Sequence, residues 1–174
     1  MNPRKLVLFL LLPIAASAAD KPSAEILGRL VGGQWPLTGE LLDTPFSKAG
    51  KITGASRCAW SPDHIFVVCD QELLVGDKPE RELSIYAFDP NTARFHFYSV
   101  TPTSDRASNG SLDISDDGNR WIYFGTGEAG GKTVQYRTTN EYHGPDHVDW
   151  WSEVSTDNGK TWIKTAFGKE THEK

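Results

Sequence analysis

Leu30-Val31-Gly32-Gly33-Gln34-Trp35 is the stretch on which the reading of this chain turns. It follows a short segment, Ala24 to Leu30, whose apolar positions Ile26, Leu27 and Leu30 fall at helical spacing behind Ser23 as a cap. It also heads a long series of short runs rich in β-branched and aromatic residues. The first is expected over about Gly33 to Leu42, with Pro36 forcing a break, a bulge or an edge. Further strands are expected at Lys51 to Trp60, Ile65 to Val75, Glu80 to Phe88, Arg94 to Val100 and Ser108 to Ile114. Four more follow at Arg120 to Thr126, Lys132 to Tyr142, Val148 to Ser155 and Thr161 to Phe167. Turn residues such as Ser61-Pro62-Asp63-His64, Asp89-Pro90-Asn91-Thr92 and Ser115-Asp116-Asp117-Gly118 separate them. Short consecutive connections favour an up-and-down meander, and closing it into a barrel removes the exposed edges. The expected fold is all-β, an antiparallel barrel of about ten strands with a short N-terminal helix.

Gly33-Gln34-Trp35 resembles the glycine-x-tryptophan opening of a lipocalin-like barrel. The resemblance implies that Trp35 plugs the closed end and that Gly33 lets another backbone approach. With Ile85-Tyr86-Ala87-Phe88-Asp89-Pro90, Phe95-His96-Phe97-Tyr98 and the closing Ser155 to Trp162, the chain resembles a bacterial family of exported proteins of unknown function. That family is similar in fold to lipocalins and other calycins. The resemblance runs from about Leu27 to Phe167 and implies a barrel with a cavity, but it transfers no catalytic residue.

Met1 to Ala18 reads as a secretory signal: Arg4 and Lys5 form the positive end, Leu6 to Ile14 the apolar run and Ala16-Ser17-Ala18 the small-residue cleavage site. The run is shorter than the roughly 20 residues a membrane span needs, and no later segment qualifies. Residues 19–26 then form a flexible lead and helix start, 27–167 the barrel domain and 168–174 a charged, frayed tail. The expected location is the periplasm or the exterior. The 18 basic and 23 acidic residues of the chain become more acidic still once Arg4 and Lys5 leave, which argues against nucleic acid as a partner. Cys58 and Cys69 read as a structural disulfide between neighbouring strands.

Few residues suggest chemistry. Ser155-Thr156-Asp157-Asn158-Gly159-Lys160-Thr161-Trp162 matches the Ser-x-Asp-x-Gly-x-x-Trp pattern known as the Asp box and resembles the hairpin turns of sialidase propellers. One copy in a chain of this length marks a fold: Asp157 bonds the turn, Gly159 takes a positive φ and Trp162 packs beneath. His143 and His147, with Asp146 and Asp149, are candidates for a metal or a haem iron, the latter by similarity to haem-binding nitrobindins. A solvated turn around Gly144-Pro145 is the alternative. No cofactor is otherwise expected. Trp60, Tyr86, Tyr98, Trp121, Tyr136 and Trp150 are candidates to line a cavity for a small apolar or aromatic ligand. Equally, such residues fill small barrels with no ligand at all, leaving an exposed Trp150 or Trp151 to meet a partner. Gly125, Gly127, Gly130 and Gly131 read as a flexible connection and not a phosphate loop. On the eighth run, the face Thr133, Gln135, Arg137, Thr139, Glu141 is expected to meet solvent. Were it inward, Arg137 would hold a carboxylate ligand or pack on Trp35 as lipocalin arginines do. The chain has no nucleophile elbow and no cysteine-histidine arrangement, so hydrolase chemistry has no support.

Overall fold

The computed structural model describes residues 23–101, 106–129 and 132–174. The leader expected at Met1 to Ala18 lies outside them, as do Gly130 and Gly131. A 3₁₀ helix, Ala24–Leu30, precedes ten strands: β1 (Trp35–Leu41), β2 (Gly50–Trp60), β3 (Phe66–Val75), β4 (Lys78–Asp89), β5 (Arg94–Thr101), β6 (Arg106–Ile114), β7 (Arg120–Ala129), β8 (Lys132–Tyr142), β9 (His147–Ser155) and β10 (Ile163–Thr171). Every strand pairs antiparallel with its neighbours in sequence, and β1 pairs with β10, so the sheet closes into a barrel. Among the described strands no edge is left open to pair with another chain.

Period-two alternation divides each strand into an inner and an outer face. On β5, Phe95 and Phe97 are buried while Tyr98 and Val100 are exposed, and on β9 Trp150 faces in. One end of the barrel is solid. Leu27 of the helix and Trp121 of β7 are completely buried there, with Trp35, Leu112, Val67 and Val148 around them. Arg29 holds the helix across this end, donating from Nη1 to Gly118 O (2.8 Å) and from Nη2 to Gly144 O (2.6 Å) while its guanidinium lies 4.0 Å over the Tyr142 ring. Ser23 occupies the N-cap position without a side-chain bond, so the helix is held by packing and by Arg29.

Three expectations about the strands change. Pro36 leaves β1 itself continuous and interrupts only its ladder to β10. Gln34 and Glu173 exchange both backbone bonds, and hydrogen-bonded pairs recur every second residue, so the missing N–H of Pro36 points at β10. The ladder to β10 resumes at Leu37, and Pro36 keeps its place opposite Ala55 of β2. Gly125 and Gly127 are not a flexible connection but paired residues of β7, opposite Tyr136 and Val134. The tail expected from Gly168 is strand: β10 runs through Thr171, with Glu170 opposite both Leu37 of β1 and Val148 of β9. Barrel closure holds it, because β1 and β9 both need this partner.

Cys58 and Cys69 form a disulfide between directly opposed residues of β2 and β3, and both are buried. Their separation is 11 residues, and the chain-entropy relation for so short a loop gives about 2–3 kcal/mol. The C58S/C69S double variant is therefore expected to lose about that much unfolding free energy in urea titration while keeping its far-ultraviolet spectrum. A loss under about 0.5 kcal/mol would show that the register of β2 and β3 is set by packing alone.

Candidate ligand-binding cavity

Beyond the solid end the barrel is open inside. A cavity of about 460 Å³ lies between the packed floor and the far ends of the strands, and every strand contributes a wall residue. That volume is within the range of small-molecule sites. On one side the Trp150 indole covers the backbone of β1 and β10. A Cβ at Gly39 or at Gly168 would sit 2.6 Å from its ring, so glycine at these positions makes the seat. Across from it Tyr86, Phe97 and Tyr123 meet edge to face, with centroids 5.9 Å (Tyr86 to Tyr123) and 5.6 Å (Phe97 to Tyr123) apart.

The remaining wall is polar and acidic. Glu80 and Glu82 of β4 and Glu170 of β10 all front the cavity. Ser84 Oγ donates to Glu82 (2.8 Å), Ser99 and Ser108 share a hydrogen bond of 2.7 Å, and Thr138 and Ser152 share one of 2.9 Å. Glu170 has no such support, and burial alone pushes its carboxyl up to about 7. Burial likewise holds the phenols of Tyr86 and Tyr123 well above their usual range, with Glu82 adding to the effect at Tyr86. One wall atom, Trp150 Nε1, is buried without any hydrogen-bond partner among the described residues. Such atoms are rare in folded proteins.

Of the residues singled out in the sequence, Tyr86, Tyr136 and Trp150 line this cavity. Trp60 packs at the solid end against Gly28 of the helix, and Trp121 is fully buried there. Tyr98 is 53% exposed on the outer face. Arg137 also points outward, its Nε 2.6 Å from Glu153 and its guanidinium 4.3 Å over the Trp162 ring. His143 is exposed on the turn between β8 and β9, its Nε2 3.1 Å from Asp149, and His147 is exposed as the first residue of β9. Neither lines the cavity, and among the described residues no three His, Cys, Asp or Glu side chains converge as a metal site would require.

Glu82, Glu170 and Tyr123 escaped the sequence reading. The signal for Glu82 was present, because Glu80, Glu82, Ser84 and Tyr86 alternate on one face of β4. Glu170 carried none, since its strand was read as a tail.

The Asp-box turn has the expected geometry. Asp157 accepts from Thr161 Oγ1 (2.6 Å), Thr161 N (2.9 Å) and Ser155 Oγ (2.8 Å), which brings its carboxyl down to about 2. Trp162 Nε1 donates to Gly159 O, with Gly159 at φ +80°. Ser115 to Trp121 is a second, shortened version that the sequence reading missed: Ser115 Oγ donates to Asp117, and Trp121 Nε1 to Gly118 O (2.9 Å). Both turns anchor a tryptophan to the carbonyl of a glycine three residues before it.

No family model and no curated protein matches the chain. Among solved structures, the S-type phycobiliprotein lyase CPES from Guillardia theta superposes with a TM-score of 0.63 over 90% of this chain and 95% of that one, at 10% identity. Rv2717c from M. tuberculosis superposes with a TM-score of 0.60 over 91% and 99%, at 14% identity. At such identity the likeness concerns fold alone. The fold is lipocalin-like. In this lipocalin-like barrel Gly33, at φ +64°, lies where any side chain would meet the carbonyl of Glu173. Trp35, 2% exposed, donates from Nε1 to Leu30 O (3.2 Å) at the closed end. The group stacked on it is not Arg137 but His172, 4.4 Å away and nearly parallel, with Nε2 donating to Gly32 O (2.6 Å). His172, the residue after β10, thus holds the barrel's opening tryptophan.

Proposed function

We propose that the protein binds a small molecule inside its barrel and does so outside the cytoplasm. The observation that carries this is the open interior, about 460 Å³, with the buried Trp150 Nε1 left without a partner in its wall. A filled barrel would have spent that space on side chains, as the solid end does. The aromatic walls suit an apolar or ring-bearing ligand body. Export is supported by the signal-like Met1 to Ala18 and by the disulfide, and no described helix is long and apolar enough to cross a membrane.

The test is titration with the neutral fluorescent probe N-phenyl-1-naphthylamine. Saturable enhancement is expected for the wild type and its loss in A166F, because Ala166 lines the cavity between Leu41 and Ser152 and a ring there would take up its space. An absorption spectrum of the purified protein belongs with it, because a Soret band would move the reading to haem. A second reading, an interaction surface, has its support on the outer face of β4 and β5, where Leu83 and Val100 lie opposite one another beside Tyr98, all more than 40% exposed. Probe binding that is unsaturable and unaffected by A166F would favour it.

A further inference from the structure

We infer that the cavity is also a site of acid-base chemistry, in which the Glu170 carboxylate takes a proton from a carbon next to the carbonyl of a ring-bearing ligand. The Tyr123 phenol donates a hydrogen bond to the oxygen that gathers the charge. The inference rests on the cavity being a ligand site.

Glu170 is placed to act as a base. It sits deep, opposite Leu37 near the start of β1 and Val148 near the start of β9, and it fronts the cavity. No described residue donates to it, and burial is the sole influence on its carboxyl. The other two carboxylates of the wall, Glu80 and Glu82, have partners of their own. A carboxylate shielded from bulk water and without a donor is a stronger base than one in solution, and taking a proton from carbon needs that strength.

Tyr123 supplies the donor. Of the three phenols that feel the charge of Glu170, Tyr86 is bonded to Ser84 and Tyr142 to Asn140, while Tyr123 has no hydrogen-bond partner among the described residues. Burial keeps Tyr123 protonated across the ordinary pH range, so its O–H is available to a developing oxyanion in the cavity it lines. Tyr86, Phe97 and Trp150 supply flat walls for the ligand ring.

The step balances without a co-reactant. The C–H bond breaks and an O–H bond forms on Glu170, while the C–H electron pair passes into the carbonyl, whose oxygen becomes an enolate facing Tyr123. Return of the proton to the far carbon of an adjoining double bond gives an isomer and restores the carboxylate.

The strands that flank Glu170 present no titratable group on their inner faces: Leu37 and Leu41 on β1, Val148, Trp150 and Ser152 on β9. On its own strand's face the next residue is His172, whose Nε2 is committed to Gly32 O. Across the barrel stand Glu80, Glu82 and Tyr86 on β4, Tyr123 on β7, and Tyr136 and Tyr142 on β8, with every one of these phenols raised by burial. The rate is therefore expected to follow the Glu170 carboxyl, pushed up to about 7.

The probe is 5-nitrobenzisoxazole, a ring compound that reacts by loss of one carbon-bound proton. The base takes the C3 hydrogen, the C–H electron pair forms the nitrile, the N–O bond breaks to leave the coloured phenolate of 2-cyano-4-nitrophenol, and Glu170 returns the proton to solvent. With the full mature protein, saturable elimination is expected, its kcat/KM rising with pH through about 7 and level above, because the carboxylate is the active form. E170Q should lose about 100-fold or more and E170D should recover part of the rate. Y123F should lose about tenfold in kcat with KM little changed. N-phenyl-1-naphthylamine binding should persist in all three variants. Elimination that survives E170Q, or none above the buffer rate while N-phenyl-1-naphthylamine still binds saturably, overturns the base and leaves the cavity reading standing. Failure of N-phenyl-1-naphthylamine to bind the wild type overturns the cavity reading itself. Where E170Q does not fold, the wild-type profile decides: a rate above buffer that does not rise with pH through about 7 overturns the assignment to Glu170.

Discussion

Trp35→Ala is expected to lower the unfolding free energy by about 3–5 kcal/mol, the usual range for deleting a buried tryptophan. The indole is 2% exposed and touches four separate pieces of the chain: the carbonyl of Leu30 at the end of the helix, the edge of Tyr142 on β8, the ring of His172 after β10 and its own strand, β1. Its loss opens a void at the point where the barrel closes, and the neighbouring strands cannot collapse into it without breaking the β1 to β10 ladder that begins at Leu37. His172→Ala removes one stacking partner and is expected to cost about 1 kcal/mol, with a coupling of about 0.5–1.5 kcal/mol to Trp35 in a double-mutant cycle. Urea unfolding of the four proteins gives all these values. A loss below about 1 kcal/mol in Trp35→Ala would mean that the closed end repacks and that the tryptophan is no plug.

The fold was largely legible because its signals are local. Strands such as Lys132–Tyr142 announce themselves by composition and by the turns around them, and the opposed cysteines on β2 and β3 follow from parity. What was not legible depends on contacts between distant parts of the chain. Lys169, Glu170 and Glu173 read as a solvated tail until β1 is known to lie beside them, and that pairing joins the two ends of the barrel. The same holds for the site. Parity separates Phe97 from Tyr98 but says nothing of height along the barrel axis, and height is what makes Trp121 a plug and Tyr86 a cavity wall. Choosing candidates by aromatic type gave three of the wall residues and passed over the acidic ones, because a glutamate on an inward face contradicts the rule that barrel interiors are apolar. Here that contradiction is where the candidate site lies.

Glu170→Gln is expected to stabilise the protein, and only where the carboxylate is ionised. The carboxyl stands at about 7 in the folded protein against 4.5 as its ordinary value, so the unfolded chain gives up its proton at lower pH than the folded one. Below about pH 4.5 both states hold the proton and the residue costs nothing. As pH rises from about 4.5 to about 7 the unfolded state is favoured progressively, and above about 7 the full penalty, about 3 kcal/mol, is in place. The variant cannot ionise, so its advantage over the wild type should be near zero at about pH 4.5 and grow to about 3 kcal/mol by about pH 8, read as paired urea titrations. An advantage independent of pH would assign the effect to packing and remove the buried charge from the account.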